Sequence, residues 1–126
     1  MEKKILVIDD EEILTKTFSR LLEKSGFKVL VASRGDDACA MAEEEDFDLI
    51  LSDIRMPGAN GIQIIKEIEK IRSRQGRPKI PVIFMTGFAD EKLEAEAREL
   101  GPVDYLSKPF DASKVLTLIR SELADK

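Results

Sequence analysis

The sequence predicts an α/β fold: a doubly wound sheet of five parallel strands, with five helices covering its two faces. Two observations point to it. Short apolar runs rich in β-branched residues alternate strictly with segments whose apolar residues recur at helical spacing. Three of the five runs are apolar almost throughout, as strands covered on both faces are.

The first run is "ILVI" (5–8). Leu14, Phe18, Leu21 and Leu22 then recur at i, i+4, i+7 and i+8, the apolar stripe of a first helix. Ser25-Gly26 ends it, and "KVLVA" (28–32) is the second strand. "GDDACAMAEEE", opened by Gly35, is a weaker helix with a thin apolar face. "LILS" (49–52) is the third strand, followed by a Pro57-Gly58 turn. Ile64, Ile65, Ile68 and Ile71 form the next helical stripe. Gly76 separates it from "VIFMT" (82–86), the fourth strand. Gly87 comes next, then "DEKLEAEAREL", whose anchors are chiefly Leu93, Ala97 and Leu100. Gly101-Pro102 leads into "DYLS" (104–107), and Val115, Leu116, Ile119 and Leu123 form the last stripe. No composition break, linker or repeat interrupts the series, so one domain spanning residues 1–126 is expected.

Composition narrows the function classes. A chain of 126 residues can bury one core without disulfides or a structural metal. Hydrophobic residues make up 43% and charged residues 36%, a globular profile. The net charge of −5 arises from mixed acidic and basic residues, with no basic stripe to bind DNA or RNA. The basic segment "RSRQGRPK" (72–79) carries no aromatic for base stacking and reads as a solvated connection. A single cysteine, Cys39, excludes an internal disulfide and fits a reducing compartment. It reads as a small buried thiol. With no histidine, His-based triads, His metal sites and His general bases are excluded. No apolar run approaches a membrane span, and Met1-Glu2-Lys3-Lys4 leads into a strand rather than a signal sequence. A cytoplasmic protein without membrane association is expected.

The chemistry gathers at one edge. In a doubly wound sheet, ligands bind at the carboxyl ends of the strands, where the strand order reverses. Asp9 and Asp10 end the first strand, Asp53 the third, Thr86 the fourth and Lys108 the fifth. If the first and third strands are neighbours, three carboxylates share one pocket and repel unless a cation joins them. Hard divalent cations such as Mg²⁺ prefer carboxylate and carbonyl oxygens. An acidic cluster with a lysine and a hydroxyl suits phosphoryl transfer. Each residue also has a plainer explanation. Asp10 could cap a helix, Asp53 could be a turn residue, Thr86 could be an ordinary strand residue and Lys108 a surface lysine. Four such coincidences at four strand ends favour a site.

"VIDDEE", "LSDIRMPGANG", "FMTGFA" and "DYLSKPF", in this order and spacing, resemble the response-regulator receiver domain of two-component signalling, over essentially the whole chain. The resemblance implies a flavodoxin-like sheet with strand order 2-1-3-4-5. It implies that Asp53 is the phosphoacceptor, charged by the phosphohistidine of a sensor histidine kinase or a phosphotransfer protein. Mg²⁺, or Mn²⁺ in its place, would be bound by Asp10 directly, by Asp9 mainly through water, by Asp53 and by the Arg55 carbonyl. Thr86 would close on the phosphoryl group, Lys108 would pair with it across a cis Lys108-Pro109 peptide, and Tyr105 would be the rotamer switch. The output surface would be the fourth helix, fifth strand and fifth helix, offered to a downstream protein partner or effector domain. Such a domain is not an enzyme in the ordinary sense; it catalyses only its own phosphotransfer and dephosphorylation. Beside the phosphoryl group, Phe88 would screen water and the Arg55 side chain would bridge toward Glu11 or a phosphoryl oxygen, both tuning its lifetime.

Rival classes fit less well. A Mg²⁺-dependent phosphohydrolase with an aspartyl nucleophile would want an Asp-x-Asp motif at the first strand end, where this chain has "DDEE". A pseudo-receiver acting only by binding is opposed by the complete set of Asp9, Asp10, Asp53, Thr86 and Lys108. A flavin or nucleotide module would want a Gly-rich phosphate loop after the first strand, and none is present.

Overall fold

Alternating apolar runs and helical stripes become, in the computed structural model, a parallel sheet between two helical layers. The structure describes residues 2–56, 58–87, 90–109 and 111–124. The elements are β1 (Lys4–Ile8), α1 (Glu12–Lys24), β2 (Lys28–Ala32), α2 (Gly35–Glu44), β3 (Leu49–Asp53), β4 (Arg55–Met56), β5 (Ala59–Asn60), α3 (Gly61–Arg74), β6 (Val82–Thr86), α4 (Glu91–Glu99), β7 (Asp104–Ser107) and α5 (Ala112–Leu123). The main sheet has the order β2-β1-β3-β6-β7, all parallel. Counting only its own strands, that is 2-1-3-4-5. The five-stranded parallel sheet is as expected; in addition, the chain around Gly58 folds back and pairs β4 with β5 as a separate two-residue antiparallel ribbon. Gly58 has φ of 69°, a conformation open to glycine at little cost.

Side-chain alternation along each strand divides the core in two. Ile5, Val7, Leu49, Leu51, Ile83 and Met85 face α1 and α5, where Phe18, Leu22, Val115 and Ile119 meet them. Leu6, Ile8, Ile50 and Phe84 face the other layer, against Ala38, Ala42, Ile62, Ile65, Ile68 and Ala97. That second layer holds α2, α3 and α4, and α4 buries only Ala97.

The basic segment is not a solvated connection. Arg72 is buried, and its Nε donates to the Pro78 carbonyl at 2.9 Å. Arg77 donates to Asp46 Oδ1 at 2.6 Å and to the carbonyls of Glu43 and Glu45 at 2.8 Å each. The reason is the C-terminal end of α2, whose last carbonyls lack helical donors and carry the negative end of the dipole. The Arg77 guanidinium meets that need, and Arg72 shares the Asp46 carboxylate with it, tying the end of α2 to the end of α3. Cys39 is half-buried on α2, and burial pushes its thiol up. Among the described residues, no helix is long and apolar enough to cross a membrane.

Candidate functional site

Parallel register brings the acidic strand ends together. Ile8 of β1 pairs with Ser52 of β3, so Asp9 and Asp10 emerge beside Asp53. Asp9, Asp10 and Asp53 each offer a carboxylate oxygen, and these atoms lie within 4.8 Å of one another. Asp9 and Asp53 are buried, while Asp10 is exposed. Asp9 is oriented by the Glu11 N–H, which donates to its Oδ1 at 2.9 Å. Asp53 is oriented in the same way by the Ile54 N–H, also at 2.9 Å. The capping explanation for Asp10 does not hold. The residue at the N-cap of α1 is Glu11, and its side chain makes no capping bond.

Behind the acceptor strand, Gly61 begins α3 and donates its N–H to the Ile54 carbonyl at 2.7 Å. A Cβ there would stand 2.0 Å from the backbone oxygen of Asp53, so only glycine allows this approach. Asn60 caps the same helix by accepting from the Ile62 N–H at 2.8 Å. Sequence reasoning missed Gly61 as a positioning residue. The visible signal was an Asn-Gly pair at the start of an apolar helical stripe.

Lys108 arrives from the opposite side. Thr86 pairs with Ser107, the Lys108 N–H donates to the Thr86 carbonyl at 2.6 Å, and the Lys108-Pro109 peptide is cis. The Lys108 ammonium lies 2.8 Å from Glu11, 3.3 Å from Asp9 and 3.6 Å from Asp53. One cation therefore faces several carboxylates. Burial, with the Asp9 charge second, pushes the Asp53 carboxyl up to about 6 against the opposing pull of Lys108. Asp9 is likewise raised, chiefly by burial. Burial pulls the Lys108 ammonium down, but its bond to Glu11 and the charges of Asp53 and Asp9 outweigh it and leave it raised. The donor set is all hard oxygen with excess negative charge, which fits a divalent cation such as Mg²⁺.

Thr86 is buried at the end of β6. Tyr105 already lies inward, 9% exposed, with its hydroxyl facing the Thr86 side chain. The Arg98 guanidinium stands 5.7 Å from the Tyr105 ring centre. The expectation that Arg55 bridges toward Glu11 is corrected. Its Nη2 donates to Asp90 Oδ2 at 3.0 Å, while Glu11 is engaged by Lys108. Phe88 lies outside the described residues.

The response regulator receiver domain family matches residues 5–120. The alkaline phosphatase synthesis transcriptional regulatory protein PhoP of Bacillus subtilis (strain 168) is 38% identical over 129 aligned residues, covering 98% of this chain and 52% of its own length. The chain spans about half the length of such curated relatives. A CheY-like response regulator receiver domain protein from Methanospirillum hungatei JF-1 matches with a TM-score of 0.88 at 27% identity, covering 98% of this chain and 94% of that one. A response regulator from Burkholderia pseudomallei, solved with a phosphorylated aspartic acid, calcium ion and citrate, matches with a TM-score of 0.80 at 28% identity. That match covers 98% of this chain and 74% of the other.

Proposed function

This chain belongs to the response regulator receiver family of two-component systems, and we propose that it is a cytoplasmic phosphoacceptor switch, one domain over residues 1–126, with Asp53 as the acceptor. The observation that carries this is the buried Asp53 carboxylate held beside Asp9, Asp10 and Lys108. The phosphoryl donor would be the phosphohistidine of a sensor histidine kinase or of a phosphotransfer protein.

In the transfer, an Asp53 carboxylate oxygen attacks phosphorus. Oδ1 is held by the Ile54 N–H and Oδ2 faces the Lys108 ammonium, so the carboxylate is pre-oriented. One O–P bond forms and one P–N bond breaks. The leaving imidazole keeps the electron pair and takes a proton from water. Mg²⁺, or Mn²⁺ in its place, held by Asp9, Asp10, Asp53 and the Arg55 carbonyl, would neutralise charge on the phosphoryl oxygens. Lys108 neutralises charge from the other side.

Thr86 then turns its hydroxyl to a phosphoryl oxygen. Its contact with Tyr105 then changes, and that change reaches the surface formed by α4, β7 and α5. That surface would engage a downstream protein partner or effector domain. The domain turns over no external substrate; it catalyses only its own phosphorylation and the later hydrolysis of the aspartyl phosphate. Arg55, and Phe88 as the second candidate, would tune how long the phosphoryl group persists.

Intact mass after incubation with acetyl phosphate and Mg²⁺ tests this. Wild type should gain one phosphoryl group and Asp53→Asn none. Equal labelling of both proteins, or none of wild type, would reject Asp53 as the acceptor.

A further inference from the structure

Asp90 performs two tasks at once. Its Oδ1 accepts from the Leu93 N–H at 3.1 Å, capping α4, and its Oδ2 accepts from Arg55 at 3.0 Å. Arg55 lies in β4, two residues after the acceptor. The ion pair therefore connects the acceptor's own loop to the N-terminus of the most thinly packed helix. α4 buries only Ala97, with Leu93 and Leu100 partly covered, so a tie at its first turn carries an unusual share of its attachment.

We propose that the Arg55–Asp90 pair is a charge latch that holds α4 in the unphosphorylated protein and opens when the phosphoryl group arrives. The latch rests on Asp53 being the acceptor. Extended chain advances about 3.3 Å per residue, so the Arg55 Cα is roughly 7 Å along the chain from that of Asp53, within reach of an arginine side chain. A phosphoryl dianion offers more charge and more acceptor oxygens than one half-exposed carboxylate, and the arginine fork suits it better. The guanidinium is drawn from Asp90 toward the phosphoryl group. Asp90 keeps the Leu93 N–H, so α4 stays capped and helical but loses its tie to the acceptor loop. This second route to α4 is separate from the Thr86–Tyr105 contact. It makes Arg55 a positioning residue for the switch.

A double-mutant cycle tests the latch, with amide exchange across residues 91–100 as its readout. Asp90→Ser keeps a capping oxygen and removes the carboxylate, and Arg55→Gln removes the guanidinium. In unphosphorylated protein each single variant should exchange about two- to fivefold faster across α4, the range an exposed ion pair can supply. The double variant should be no faster than either single one. Asp90→Ala should be faster than Asp90→Ser, and that excess measures the lost cap. After loading with acetyl phosphate and Mg²⁺, checked by intact mass, the difference between wild type and the single variants should vanish. Additive single effects, or a difference that persists in loaded protein, would overturn the latch. If wild type takes up no phosphoryl group, the mass rejects the acceptor assignment and the switching role falls with it. The unphosphorylated cycle would then still report the ion pair by itself.

Discussion

Helices α3 and α4 lie on the same face of the sheet, and each follows a strand that delivers a site residue, yet they are held very differently. α3 buries Ile62, Ile64, Ile65, Ile68 and Arg72. It is capped by Asn60, closes on the Asp53 carbonyl through Gly61, and is tied to α2 by the guanidiniums of Arg72 and Arg77. α4 buries Ala97, spends charge on an exposed Glu94–Arg98 pair, and shares its cap with Arg55. The difference is one of division of labour. The acceptor needs a wall that does not move, because an error of a fraction of an ångström weakens an in-line attack. The element that reports the event needs a low cost of motion, which follows from few buried contacts.

The largest effect should come from Gly61→Ala. The new Cβ would meet only backbone of Asp53 and Ile54, which cannot yield without moving the acceptor. A loss of about 3 kcal/mol or more is expected in denaturant unfolding, with little phosphoryl uptake in the fraction that folds. A variant that folds and labels normally would show that the wall is softer than its geometry.

Arg72→Ala sharpens the same contrast. It empties a buried site and strands the Pro78 carbonyl, and about 2–3 kcal/mol should be lost. Arg98→Ala on α4 removes an exposed pair and the contact of Arg98 with the Tyr105 ring, and should cost about 1 kcal/mol or less. Similar losses in the two variants would erase the distinction between the helices.

The acidic cluster at the ends of β1 and β3 should be strained without a cation. Mg²⁺ at a hundredfold excess over its Kd should stabilise the fold by about 2–3 kcal/mol. Asp10→Ala should abolish that gain and leave the metal-free protein as stable or more so. Equal melting temperatures of wild type in chelator and in Mg²⁺ would rule out the cation site.

A smaller effect is expected from pH. Asp53 titrates at about 6 when folded, against an ordinary value of 3.8. Between those values the folded protein binds more protons than the unfolded chain, so stability falls as pH rises through the window. Asp9 acts in the same sense, and Lys108, raised, stays charged throughout. Metal-free protein should therefore be about 1 kcal/mol more stable at pH 5 than at pH 7, and saturating Mg²⁺ should remove the trend. A metal-free protein that gains stability from pH 5 to pH 7 would contradict the burial of these carboxylates.

What was legible in the sequence was what repeats locally. Apolar runs placed every main-sheet strand to within a residue, most plainly β1, β3 and β6, which are buried on both faces, whereas the edge strands β2 and β7 are partly exposed. The convergence of Asp9, Asp10, Asp53, Thr86 and Lys108 at one edge followed from their shared position at strand ends. The ties across distant chain were not legible. Arg77 reaches Asp46 and the end of α2 over some thirty residues, and its role depends on carbonyls whose need for donors appears only once α2 is packed beside it. Arg55 was drawn to the wrong carboxylate for the same reason. Lys108 takes Glu11, and Asp90 comes within reach only when α4 is docked. Gly61 stood in plain view, but its necessity lies in a close approach to backbone that no spacing rule reveals.

The most direct test of this division is amide exchange in wild type, with and without acetyl phosphate in Mg²⁺ buffer, comparing α3 with the stretch from α4 through β7. Phosphorylation should alter exchange mainly across residues 87–107 and leave residues 61–74 as they were. Equal changes in both segments, or a change confined to α3, would contradict a rigid wall behind the acceptor and a responsive helix beside it.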